Sequence, residues 1–195
     1  PLVYVGRREL PHDDISYVSA DYVHATQNIV QHLYDLGHRQ LAYLRTTRRN
    51  EASKDRLVGY KTACSDLALQ SSSKELWSGE ANDLSYHSIA DYLKQGITAF
   101  VVEDDTLGRR LLEIAQYLEI KCPKDFSMVV LGNPLNPIQE VPDWTTFSIP
   151  RREMGGEALQ MLVHNLESPR NEPLLPQRKV LTCQFVKGSS TGPVP

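Results

Sequence analysis

Cysteine is scarce: Cys64, Cys122 and Cys183 are the only three in 195 residues. An odd, scattered set supplies neither a disulfide framework nor the paired spacing of a zinc site. It fits a reducing, cytoplasmic setting. Long apolar runs are lacking too, so no segment reads as a membrane-crossing helix and no membrane partner is expected. Nor is there an excess of one charge. Twenty-one Lys and Arg face 24 Asp and Glu, and a formal net charge of −3 leaves no electrostatic footprint for DNA or RNA. Any DNA contact would fall to a segment outside this chain. The phosphate-binding loop, the dinucleotide glycine fingerprint and the serine nucleophile elbow are all missing. The histidines, His12, His24, His32, His38, His87 and His164, have no metal-ligand spacing, and structural or solvated roles are expected for them. The chain therefore reads as a binder and not an enzyme, with no metal and no cofactor.

What is present is a regular order of elements, enough for one large domain or one and a half small ones. Leu2 to Val5 is a short apolar strand, and Pro11 to Asp14 a loop. A helix from about Asp21 carries Tyr22, Ala25, Ile29, Val30, Leu33 and Leu36 on one stripe and stops at Gly37, with His38 closing its end. Leu41 to Leu44 is a strand. The loop Thr46 to Asn50 follows, and Asn50 is placed to cap a second helix that turns Leu57, Tyr60, Cys64 and Leu67 inward. After a loop at Ser71 to Ser73, a strand edge at Trp77 leads to a third helix from Ser85 to Gly96. Ile97 to Val102 is a strand, and the fourth helix turns Leu107, Leu111, Ile114, Ala115 and Leu118 inward. Ser127 to Leu131 and Thr145 to Ile149 are strands on either side of a proline-rich loop, 134–142. Pro150 opens a fifth helix with Met154, Ala158, Leu159, Leu162 and Leu166 as its apolar face. An extended run from Lys179 to Val186 ends in a tail, Gly188 to Pro195, expected to be loose.

Alternation of strands and helices predicts a three-layer αβα architecture around a mostly parallel sheet. The strands are apolar throughout, as befits a sheet covered on both faces. Ligands of such folds bind outside the carboxyl ends of the strands. That rule selects the loops Thr46–Asn50, Glu103–Asp105 and Gly132–Asn133.

Candidate ligand-binding residues lie in or near these loops: Arg56, Asp104, Glu103, Asn133 and Asn50. Arg56 lies near the start of its helix, and its planar fork can grip vicinal hydroxyls or a carboxylate with two bonds. A surface ion pair with Asp55 or Glu51 is the competing role. Asp104 can accept from ligand hydroxyls or cap the fourth helix, and three adjacent acids, Glu103 to Asp105, are also a conceivable cation site. Capping is the simpler use, since acids favour a helix's first turn. Asn133 can face a ligand or shape its turn.

Four segments together resemble the effector domain of the LacI/GalR family of bacterial transcription regulators. They are Pro1-Leu2-Val3-Tyr4-Val5-Gly6-Arg7; Val18-Ser19-Ala20-Asp21 leading to Leu36-Gly37-His38-Arg39-Gln40-Leu41-Ala42-Tyr43-Leu44; Asp55-Arg56-Leu57-Val58-Gly59-Tyr60; and Trp144-Thr145-Thr146-Phe147-Ser148-Ile149 with the ending Gly188-Ser189-Ser190-Thr191. The resemblance implies a type I periplasmic-binding-protein-like fold in two lobes. Residues 1–10 would be the last early strand of the first lobe, 15–149 the second lobe, 150–178 the return to the first lobe, and 179–195 the final strand and tail. A chain opening on Pro1 within an apolar run is expected to be a fragment, without most of the first lobe and without the DNA-binding head. Leu2 to Val5 and the helix bearing Leu159 and Leu162 would then lack cover.

By the same resemblance, the function is binding of a small molecule, sugar or sugar-like, to a regulator that acts as a homodimer. Dimer contacts would fall on the helix from Ser85, the helix after Asp105 and the loop near Pro137. A solute receptor for transport or signalling is the alternative, and an enzyme on a doubly wound sheet a remote one. The arginine matching Arg56 contacts effector in the family. Three positions depart from the family: Gly132 stands where an aspartate holds the sugar, Ala81 where an aromatic ring is common, and Gly6 where some members have an acid.

Overall fold

The computed structural model describes residues 1–7, 15–48, 50–69, 76–133, 143–168 and 175–195. The expected loops at Pro11–Asp14, Ser71–Ser73 and Pro137, and His12, lie outside them. The strands are β1 (Val3–Val5), β2 (Ser16–Ala20), β3 (Leu41–Arg45), β4 (Leu76–Ser78), β5 (Ala99–Val102), β6 (Ser127–Val130), β7 (Thr145–Ser148), β8 (Arg178–Leu181) and β9 (Gln184–Val186). The helices are α1 (Tyr22–Asp35), α2 (Glu51–Asp66), α3 (Tyr86–Lys94), α4 (Asp105–Tyr117) and α5 (Arg151–Glu167). They build two sheets. The smaller runs β1-β2-β8, all parallel; the larger runs β4-β3-β5-β6-β7-β9, parallel except for β9.

The larger sheet explains why its strands are apolar at every position. Leu41 and Tyr43 of β3, Ala99 and Val101 of β5, and Val129 of β6 enter the core under α1 and α2. Their alternates Ala42, Leu44, Phe100, Val102, Met128 and Val130 enter a second core under α3 and α4. Period-2 geometry sends successive side chains to opposite faces, and both faces are covered.

Helix α1 is stapled to α2. The motif glycine, Gly59, sits so close to α1 that a Cβ there would lie 2.4 Å from the Val23 carbonyl oxygen. Asp21 caps α1 through the His24 N–H, and Gly37, at φ +97°, ends it. Its Cβ-free, left-handed backbone lets the chain turn into β3.

The chain passes between the sheets three times: from β2 to α1, from β7 to α5, and from β8 to β9. Several expectations change as a result. The span 15–149 opens with a strand of the smaller sheet, since Ser16–Ala20 pairs with both β1 and β8. The extended run from Lys179 is two strands, one in each sheet. Helix α5 packs on β1 and β2. The face it buries holds Met154, Ala158, Met161 and Asn165, while Leu159 and Leu166 are 61% and 64% exposed. Leu2 and Val5 are exposed as well.

The tail is tied down, contrary to expectation. Met128 N donates to the Ser190 carbonyl at 2.8 Å, and Thr145 N to Ser190 Oγ at 2.8 Å. Gly192 N donates to Ser127 Oγ at 3.0 Å, and Val194 N to the Leu36 carbonyl at 3.1 Å. His38 is fully buried beneath it, within hydrogen-bond distance of Thr98 Oγ1, Ser127 Oγ and the Gly192 carbonyl. Exposed tails fray, but this one fills backbone and hydroxyl valences along the sheet's edge.

Candidate functional site

The carboxyl ends of β3 and β5 and the start of α2 converge on one buried carboxylate. Glu103, directly after β5, is 3% exposed. It accepts from Thr46 N at 2.8 Å and Thr46 Oγ1 at 3.2 Å, and from Ser53 Oγ. Both its oxygens are thus engaged inside the lobe, which is how a buried charge is made tolerable. Glu103 therefore anchors the β3–α2 loop, with its acceptors spent on Thr46 and Ser53.

Its neighbours in the acid run turn elsewhere. Asp104 accepts from Leu107 N at 2.9 Å and caps α4. Asp105 accepts from Trp144 Nε1 at 2.9 Å and from Arg109 Nε at 2.8 Å. No group of three His, Cys, Asp or Glu side chains that could hold a metal occurs among the described residues. Asn50 caps α2, accepting from Ser53 N at 2.9 Å.

Arg56 stands one turn into α2 and is half-buried. Its guanidinium carbon lies 4.9 Å from the ring centroid of Tyr22, the first residue after the β2–α1 crossing. Gly132, at φ +94°, leaves room for its tip: a Cβ there would lie 3.2 Å from Arg56 Nη2 and 2.9 Å from Ile149 Cδ1. Three buried polar atoms in this region have no hydrogen-bond partner: Arg56 Nε, Arg45 Nε and Tyr43 Oη. Burial pushes the Tyr43 phenol far up; Glu103 adds to this, and the charges of Arg56 and Arg45 oppose it.

Asn133, given as either a ligand contact or a turn-shaping residue, makes local bonds. Its Oδ1 accepts from Ile149 N and Arg151 Nη1, both at 3.0 Å, and its carbonyl accepts from Arg151 Nη2 at 2.7 Å. The residue locks the β7–α5 crossing. Beside it lies a cavity of about 520 Å³, bounded by Asn133, Arg151, Thr182 and Gln184 among others, between the second and third crossings. Cys183 sits on that third crossing, and burial raises its thiol to about 11. Arg7, just after β1, pairs with Asp55 on α2 at 2.6 Å, joining the smaller sheet to the larger lobe.

Arg151 was not anticipated from sequence. A signal existed: Arg151 and Arg152 open α5, where the helix dipole disfavours cations. Tyr22 and Tyr43 gave no such sign, because both fall on ordinary apolar stripes.

Two mostly parallel sheets, linked by three passes of the chain, with a polar junction at the strand ends, define a two-lobed α/β domain of the ligand-clasping kind. The periplasmic binding protein-like domain matches residues 30–191, and the chain belongs to that family. The NTD biosynthesis operon regulator NtdR of Bacillus subtilis (strain 168) is 27% identical over 157 residues, covering 78% of this chain and 47% of that protein. The HTH-type transcriptional regulator CelR of Thermobifida fusca is 24% identical over 181 residues, covering 89% and 52%. A crystal structure of a LacI family transcriptional regulator from Enterococcus faecium, with bound ribose, superposes with a TM-score of 0.80 at 21% identity, covering 100% of this chain and 72% of that one. The chain spans about half the length of the curated relatives it matches, 47% and 52% for these two. The resemblance to LacI/GalR effector domains drawn from the four segments is borne out at the level of family and fold. These relatives are transcription regulators, not enzymes.

Proposed function

We propose that the chain is the effector-binding part of a cytoplasmic transcription regulator and that a sugar or sugar-like molecule binds at the junction of its two lobes. One observation carries this reading. Arg56 holds its guanidinium over Tyr22 and against Gly132, where the strand ends of the larger sheet meet the first and second crossings. A ligand gripped there would touch both lobes. It would favour the arrangement it binds more tightly and so shift a two-state equilibrium. The ribose bound to the Enterococcus faecium regulator is in keeping with a ligand of that size and polarity. Asp104, beyond its capping bond, is a further ligand contact in this reading. In it β1, β2, α5 and β8 belong to the first lobe, and α1 to β7 with β9 to the second. DNA would be contacted through an N-terminal head outside this chain.

The regulator would act as a homodimer. The rings of Tyr86 of α3 and Tyr117 of α4 lie 4.9 Å apart, tilted to each other, and the residues are 40% and 69% exposed, which suits a partner surface on those helices.

Calorimetric titration of the full-length protein with ribose, cellobiose and nucleosides tests the site. Saturable binding that Arg56→Ala weakens by about 1.5–3 kcal/mol is expected, as for lost charge-assisted hydrogen bonds. Binding indifferent to the substitution would move the site elsewhere.

A further inference from the structure

We propose that the ligand carries an anionic group, a carboxylate or a phosphate, held between Arg56 and Arg151 across Gly132 and Asn133. The inference rests on the effector-site reading above and adds the charge of the ligand.

The two arginines flank the same short segment. Arg56 Nη2 would be 3.2 Å from a Cβ on Gly132, and Arg151 donates twice to the next residue, Asn133. Asn133 is neutral, so neither guanidinium is neutralised by these contacts. Among the described residues, four acids nearby are committed to other partners, while Glu153, which lines the cavity with Arg151, stands solvent-exposed in the first turn of α5. Asp55 pairs with Arg7. Glu103 is filled by Thr46 and Ser53. Asp21 caps α1 and pairs with His24. Asp104 caps α4.

Three further features raise the local demand for acceptors. The amino end of α5, with its positive dipole end, begins at Arg151 itself. The unpartnered atoms Arg56 Nε, Arg45 Nε and Tyr43 Oη can all donate. Burial, reinforced by Arg56, lowers the Arg151 pKa, with Tyr22 and Cys183 pulling the other way. Two like charges, half-buried and without an ion pair among the described residues, are unfavourable when the cleft is empty. An anion relieves both at once, with the bidentate geometry that guanidinium groups provide. Gly132 matters because an acidic side chain there would clash with Ile149 and occupy the tip of Arg56.

The test is titration of the full-length protein with matched pairs: ribose against ribose 5-phosphate, glucose against glucuronate, and inorganic phosphate as the bare anion. The anionic member of a pair is expected to bind about tenfold or more tightly than its neutral parent, and to weaken as salt rises. Arg56→Gln and Arg151→Gln should each erase that preference, while Arg56→Lys should keep part of it. A neutral sugar that binds as tightly as its anionic partner overturns the anion and leaves the effector site standing. Saturable binding by none of the five probes overturns both.

Discussion

Glu103 and Gly59 do related work by opposite means. The carboxylate of Glu103 is held by donors from a neighbouring loop and helix, so its charge fixes the geometry of the strand ends. Gly59 does so by having no side chain, which lets α1 and α2 touch through backbone. Gly59→Ala is therefore expected to force the helices apart and to cost about 1–3 kcal/mol, the usual range for overpacking. Gly155 is the control: it lies in α5 with nothing within 4 Å of its Cβ position. There Ala should stabilise by roughly 0.5–1 kcal/mol through helix propensity. Urea midpoints of the two variants, moving in opposite directions, check this; a Gly59→Ala midpoint equal to the wild type would show that the close approach carries no energy.

At the scale of elements, the tail is a clasp held by two histidines. His38 faces Ser127, Thr98 and the Gly192 carbonyl, and His32 lies 3.0 Å from Thr191 with its ring 5.0 Å from Phe185. Burial is the main cause that lowers both pKa values; Lys187 adds to it for His32, and His32 and Arg39 for His38. A histidine whose pKa is lower in the folded state binds fewer protons there than when unfolded. Its neutral-state stability is intact above the unfolded value and is lost as the pH falls below about 6.5. The thermal midpoint should thus drop between roughly pH 7.5 and 5.5, and His38→Gln should flatten that slope. A midpoint equally steep in the variant would assign the acid sensitivity to other groups.

The whole molecule is two sheets joined by three passes of the chain, by a hydrophobic core that runs from Val18, Ala20 and Met154 to Ile29, Phe147 and Ile149, and by an ion pair. Arg7 and Asp55 meet at 2.6 Å with side chains only 30% and 22% exposed. Such a pair adds about 1 kcal/mol or less to folding. Its larger effect is on the angle between lobes, because it is made only when they approach. Asp55→Asn should leave the melting temperature nearly unchanged and enlarge the radius of gyration in solution scattering. An unchanged radius would mean that the crossings and the shared core set the angle.

The sequence alone determined the five helices and most of the strands, though not β2, as well as the doubly covered sheet and the family. These rest on local facts: the 3.6-residue stripe of α1, the all-apolar strands β3, β5 and β6, and motif spacings read directly along the chain. It also placed Arg56 near the start of its helix and foresaw capping as a use for Asp104 and Asn50. Only the tertiary structure decided which side chains face the junction. Glu103 is adjacent to Asp104 in the chain yet points into the lobe, because Thr46 and Ser53 come to meet it from residues about fifty positions away. Asn133 is claimed by Arg151, and Arg151 by a crossing whose path no local pattern records. The division of Lys179 to Val186 between two sheets was invisible for the same reason: strand pairing is a contract between distant segments, and hydrophobic periodicity reports only on near ones.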